Sequence, residues 1–147
     1  MSVVVEARAS SSAPRQLVWD VLVDGRAWSS WGPWSSTVYD SVGSPSEDGV
    51  GAVRRFRRWP VTSIERVELF EAPARFGYEL VSGLPIGEYH AVVTLTDVAG
   101  GGTEIYWRSE FELRRPRSGW FWKAFLGRVL RDVSRGIARE ADRRAAQ

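Results

Sequence analysis

The sequence predicts an α+β fold: one antiparallel sheet of about seven strands, one face covered by a long C-terminal helix, with two short helices after the first strand. Three observations carry this. Alternating apolar and polar residues recur between residues 37 and 113, broken by turn-forming clusters. The only long stretch with helical spacing is the last, from Gly119 to about Ala146, and it contains no proline. A sheet that is wet on one side needs a cover on the other, and a helix of ~37 Å, at ~1.5 Å per residue, is the one element long enough to supply it.

The elements follow in order. Residues 3–9, "VVVEARA", read as a strand of β-branched residues. "SSAPRQLVWDVLVDG" reads as a helix: Pro14 suits its first position, Leu17, Val18, Val21 and Leu22 form one stripe, and Gly25 suits its end. In "WSSWGPWSST", Trp28, Trp31 and Trp34 are three apart, so a turn or two of helix would align them, and Gly32 and Pro33 keep that helix short. Strands are expected near 37–43, 51–59, 61–70, 75–82, 88–98 and 103–113, separated by "GSPSEDG", "EAPA", "SGLPIG" and "AGGG". Tyr89, Ala91, Val93 and Leu95 share one strand face, and Phe76, Tyr78 and Leu80 another. Ile105, Trp107, Phe111 and Leu113 form a third such set. On the last helix, Trp122, Leu126, Val129, Leu130, Val133, Ile137 and Ala141 make a continuous apolar stripe.

Composition narrows the chemistry. At 147 residues, one domain spanning 1–147 is expected. There is no cysteine, which excludes disulfides, thiolate metal sites and cysteine nucleophiles, and no asparagine, which excludes N-glycosylation. The single histidine, His90, sits on the polar face of its strand and reads as a surface residue. Neither a Ser-His-Asp pattern, a zinc-binding helix motif nor a phosphate-cradling loop is present, so no metal site and no cofactor are expected. No run of ~18 apolar residues occurs and the first residues do not resemble a secretory signal, so a cytoplasmic location is expected. The net charge of +2 is unevenly spread: residues 1–113 carry 10 Arg and 15 acids, residues 114–147 carry 10 Arg or Lys and 3 acids.

Charged residues on strands that face the sheet's covered side are the remaining candidates for chemistry. Glu65 shares parity with Val61, Val67 and Leu69 and is expected to point inward. Arg55 and Arg57 share parity with Val53 and Trp59, and an inward Arg57–Glu65 pair beside Trp59 and Tyr78 would place a polar patch in an apolar pocket. The alternative is a register that turns Phe56, Ile64 and Phe70 inward instead.

"APRQLVWDVLVDGRAWSSWGPW", "GVGAVRRF", "ERVELFEAPARFGYEL" and "GTEIYWRSEFEL" before a long helix resemble the START-like (SRPBCC) superfamily, and within it the polyketide cyclase/dehydrase and lipid-transport group. The resemblance spans essentially the whole chain and rests on apolar and turn patterns. It implies a helix-grip fold, a curved sheet wrapped around the C-terminal helix with a cavity between them, and a short helix capping the mouth. It also implies a choice among lipid carriers, aromatase/cyclases and ligand receptors, which fold alone does not make.

The leading expectation is a binding module for a hydrophobic small molecule such as a lipid, polyketide or other aromatic or acyl compound. The expected lining is Trp31, Trp34, Trp59, Tyr78, Tyr89, Trp107, Trp122, Leu126 and Val129. The three indoles of the loop either contact that ligand or plug the open end of the core. The first alternative is a cyclase, aromatase or dehydratase in which Arg57 clamps an anion and Glu65 and Tyr78 move a proton. The second is an interaction protein that docks through a basic helix. Arg128, Arg131, Arg135 and Arg139 form a ridge that reads first as a solvated face partly neutralised by Asp132 and Glu140, with RNA or an anionic membrane as the lesser readings. No DNA partner is expected, and the oligomeric state is not legible.

Overall fold

The computed structural model describes residues 2–147. Strand β1 (Ser2–Ser11) is followed by helix α1 (Arg15–Val23), a 3-10 turn (Gly25–Ala27) and the single-turn helix α2 (Trp28–Trp31). Six further strands follow: β2 (Ser36–Ser41), β3 (Val53–Arg58), β4 (Val61–Glu71), β5 (Arg75–Ser82), β6 (Tyr89–Asp97) and β7 (Thr103–Glu112). Helix α3 (Gly119–Ala145) ends the chain. The expected elements are all present, their ends shifted by one or two residues where the ladder gives way to turns.

The strands form one antiparallel sheet in the order β1-β7-β6-β5-β4-β3-β2. The first two strands are therefore its two edges, and the α1–α2 connection must cross from one edge to the other. The sheet curves around α3, the helix-grip arrangement. The alternating sets face the covered side as expected: Tyr89, Ala91, Val93 and Leu95 on β6 stand opposite Phe111, Ser109, Trp107 and Ile105 on β7, all buried. Direct cross-strand neighbours share a face, so the two strands build one apolar surface.

Helix α3 lies along β1 and against α1, burying Leu126, Leu130, Val133, Ile137 and Ala141. Its C-terminal end is pinned by Asp142, whose Oδ1 accepts hydrogen bonds from the Ser11 hydroxyl (2.7 Å), the Ser12 N–H (2.8 Å) and the Ser12 hydroxyl (3.0 Å). These donors hold Asp142 below the usual carboxylate range. Buried Glu140 binds Arg143 and Arg144, not the arginine ridge it was expected to neutralise.

Three glycines report on packing. Gly25 is small because a Cβ there would meet the Tyr39 hydroxyl at 2.9 Å and Arg54 Nη1 at 3.0 Å; close packing, not only a helix stop, requires it. On α3, a Cβ at Gly136 would fall 2.9 Å from the Trp31 ring, while at Gly127 the nearest atom is 3.7 Å away. Opposite outcomes follow. Gly127→Ala should stabilise by about 0.5–1 kcal/mol through helix propensity. Gly136→Ala must displace an indole and should destabilise by about 1 kcal/mol despite the same propensity gain. Urea unfolding of the two variants checks the signs.

Candidate ligand-binding cavity

A cavity of about 490 Å³ lies between the sheet and the first half of α3. That volume falls within the ~300–1,000 Å³ range of small-molecule pockets. Its floor is the sheet: Ser63 and Glu65 on β4, Tyr78 and Leu80 on β5, Tyr89 on β6 and Trp107 on β7. Its roof is Leu126, Val129, Leu130 and Val133 of α3, and one wall is Trp28, Pro33 and Trp34. It opens where its lining is exposed, at Trp59 of the β3–β4 turn (88% exposed), Phe125 (39%) and Arg128.

The three loop indoles have three roles. Trp28 is core: its ring packs on Phe56 (5.0 Å between centroids), Trp31 (5.6 Å) and Trp107 (6.4 Å). Its Nε1–H donates to the carbonyls of Val21 (3.2 Å) and Leu22 (3.1 Å). Trp31 stands behind it, seated over Gly136; contrary to the sequence expectation, it does not line the cavity. Trp34 lines the cavity, tilted on Phe56, and its buried Nε1–H has no hydrogen-bond partner among the described residues.

Of the other expected lining residues, Trp59, Tyr78, Tyr89, Trp107, Leu126 and Val129 all reach the cavity. Trp122 does not: half-buried, it packs against Phe121 (5.1 Å) and Phe125 (5.9 Å) at the start of α3.

Arg57 requires correction. It is exposed on the outer side of the sheet, and so cannot clamp a ligand in the cavity. The reason is register. β3 and β4 are joined by the two residues Trp59 and Pro60, so Arg54 stands opposite Glu65, Phe56 opposite Ser63 and Arg57 opposite Thr62. Opposed residues share a face. Inward Ser63 and Glu65 therefore bring Phe56 and Arg54 inward and turn Arg55 and Arg57 out, where Arg55 pairs with Asp40 at 2.8 Å.

Arg54 is the residue sequence reasoning missed. It is fully buried, with Nη1 donating to the Val23 carbonyl at 3.2 Å. Its guanidinium lies over Phe76 (5.0 Å), Phe56 (5.1 Å) and Trp28 (5.5 Å). Its Nη2 is 3.9 Å from Glu65 Oε1, beyond hydrogen-bond length, and Nε and Nη2 make no hydrogen bond among the described residues. Glu65 itself is buried, and its Oε2 accepts only a long bond (3.5 Å) from the Ser63 hydroxyl. Burial pushes its carboxyl up to about 7, against the opposing pull of Arg54 and Ser63.

The phenols of Tyr78 and Tyr89 lie 3.4 Å apart. Burial drives Tyr89 up to about 12 and Tyr78 well above the ordinary phenol value, so both are neutral hydroxyls across the physiological range. The Trp107 N–H has no well-formed hydrogen bond, though it lies close enough to Tyr78 to oppose that rise. The cavity thus offers a greasy aromatic volume with a carboxyl that holds or releases a proton near neutrality and a pair of phenol donors. This combination can bind, and hydrogen-bond, an oxygen-bearing apolar molecule.

The shift at Glu65 sets a pH dependence. Unfolded, the carboxyl loses its proton near 4.5; folded, it keeps it to about 7. Its contribution to stability is complete below about 4.5, declines as pH rises, and is lost above about 7. Glu65→Gln, a neutral isostere, should remove this decline and exceed wild type near pH 8 by on the order of 3 kcal/mol. Chemical denaturation across pH tests it; parallel curves for the two proteins would contradict it.

His90 is exposed on the outer face as expected, its Nδ1 2.8 Å from Glu68 Oε2. Glu68, Glu79 and His90 present ligand atoms within 4.8 Å of one another, but Glu79 already binds Arg66 at 2.5 Å, and the group stands across the sheet from the cavity. Arg128, Arg131, Arg135 and Arg139 are all exposed along α3. Among the described residues, no helix is long and apolar enough to cross a membrane.

Solved structures with the same fold cover nearly the whole chain. The Zhui aromatase/cyclase from Streptomyces sp. R1128 superposes with a TM-score of 0.82 at 18% identity, over 99% of this chain and 96% of its own. A START superfamily protein from Mycobacterium smegmatis gives 0.81 at 12% identity, over 95% and 97%. The protein XoxI from Bacillus cereus gives 0.77 at 14%, over 94% of each. At such identities the likeness is one of fold. No curated protein matches the chain in sequence. Residues 2–145 do match the profile of the family described as polyketide cyclase/dehydrase and lipid transport, and the chain belongs to that family.

Proposed function

We propose that this protein binds a hydrophobic small molecule carrying an oxygen function, with its apolar body against Trp34, Trp107 and Val129 and its oxygen toward Glu65 and the Tyr78–Tyr89 pair. The observation that carries this reading is the open volume of about 490 Å³ that aromatic side chains surround without filling. Interiors are close-packed, so an open space of this size with buried polar groups on its floor is best explained by an occupant. The test is a titration with a naphthyl fluorescent probe. Wild type should bind it saturably, one per chain, and Val129→Trp, which fills the roof side of the cavity, should not. Equal binding by both proteins would place the probe elsewhere and overturn the reading.

One observation favours a second reading, proton-transfer catalysis on a polyketide-like substrate: a buried carboxyl that titrates at about 7 is poised to act as acid or base. Glu65 would move the proton and Tyr78, neutral throughout, would hold the substrate oxygen. Arg57 has no place in such a site. Turnover falling in Glu65→Gln by at least a hundredfold, with ligand affinity kept, would support catalysis over carriage.

A further inference from the structure

The start of α3 and the loop before it carry a surface that the cavity does not explain. Between Leu113 and Arg131 there are six cations, Arg114, Arg115, Arg117, Lys123, Arg128 and Arg131, and no acid. All six are exposed. Set among them are aromatic rings that folding leaves in water: Trp120 is 76% exposed and Phe121 46%. Phe121 stacks on Phe125 at 6.0 Å, and Phe125 in turn lines the cavity mouth, together with exposed Trp59. The aromatic patch is therefore continuous with the opening.

We propose that this surface docks on an anionic bilayer and turns the cavity mouth toward the lipid phase. Interleaved arginine, lysine and tryptophan on a helix that is too polar to insert is the chemistry of the membrane interface: aromatic rings enter the headgroup boundary while cations bind anionic headgroups. The charge distribution orients the molecule. Residues 114–147 carry 10 cations against 3 acids, while residues 1–113 carry 10 Arg against 15 acids, so an anionic surface attracts the α3 side and repels much of the rest. A second copy of the chain is a poorer occupant, because a two-fold contact would set six cations against six. Single-stranded RNA is also poorer. Its bases need a run of open ring faces, and here, beside exposed Trp120, Phe121 and Phe125 stack on each other and lead into an apolar hollow. The docking does not depend on whether the cavity is filled.

Co-sedimentation with vesicles tests it. Wild type should pellet with phosphatidylcholine vesicles containing phosphatidylglycerol, not with phosphatidylcholine alone, and added salt should release it. Each basic residue near such a surface contributes about fivefold, so Arg114→Ser/Arg115→Ser/Arg117→Ser should bind on the order of a hundredfold more weakly. Trp120→Ser/Phe121→Ser should lose at least about tenfold while keeping the salt dependence. All these positions are exposed, and unchanged circular dichroism verifies folding. Glu65→Gln should pellet as wild type does even if its ligand binding changes, which separates failure of the docking from failure of the cavity reading. Equal binding to neutral and anionic vesicles, or no binding at low salt, would overturn the proposal. So would a single-stranded RNA oligonucleotide that displaces the vesicles, or a dimer in sedimentation equilibrium that the aromatic substitutions dissolve.

Discussion

Replacing Arg54 by alanine is expected to lower the unfolding free energy by about 3–5 kcal/mol, the cost of removing one partner from a buried charge pair. Two losses combine. The guanidinium fills the space between Phe56, Phe76 and Trp28, so truncation leaves a void lined by three rings. Glu65, 3.9 Å away, also loses its nearest cation. Glu65 can escape that cost by taking up a proton. It titrates at about 7 with Arg54 present, so without Arg54 it will stay protonated to higher pH. The loss should therefore be smaller near pH 6 and larger near pH 8, where the carboxyl must either ionise unpaired or keep its proton against the solvent. Arg54→Met, which keeps most of the packing, should recover much of the loss near pH 6. Urea denaturation of both variants at the two pH values measures this; a pH-independent loss would mean that Arg54 acts by packing alone.

Trp28→Ala should cost about 3–5 kcal/mol, the range for a large aromatic removed from a core. Trp28 joins α1, the cavity wall and the sheet: its ring touches Phe56 on β3 and Trp107 on β7, and its N–H ties back to the last turn of α1. Trp28→Phe separates these contributions. It retains an aromatic ring but leaves the Val21 and Leu22 carbonyls without that donor, and should cost about 1 kcal/mol more than ring volume alone predicts. Thermal and denaturant unfolding, read by far-ultraviolet circular dichroism, gives both numbers.

The outer plan was legible because period and punctuation are local. Alternation placed Tyr78, Tyr89 and Trp107 on the covered face, and the spacing from Leu126 to Ala141 placed the stripe of α3 on the core, where the structure has them. The inward carboxyl of Glu65 was legible for the same reason. Its partner was not, because parity within β3 alone leaves open which of its two faces turns inward. A two-residue connection pairs odd-numbered with even-numbered residues, so the turn at Trp59 and Pro60 already contained the choice of Arg54 over Arg57. Trp31 and Trp122 illustrate a different barrier. Both are half-buried aromatics near the cavity, and only the path of α3 decides that one covers Gly136 and the other joins Phe121 and Phe125. The size of the hollow is a property of three dimensions and has no trace in residue order.

The most direct measurement is native mass spectrometry of the protein purified from its own host, beside Val129→Trp prepared in the same way. An added mass of one small apolar compound on wild type, absent from the variant, is the predicted result. Bare chains in both preparations, unchanged after exposure to the host's lipid extract, would contradict a protein built around an occupied hollow.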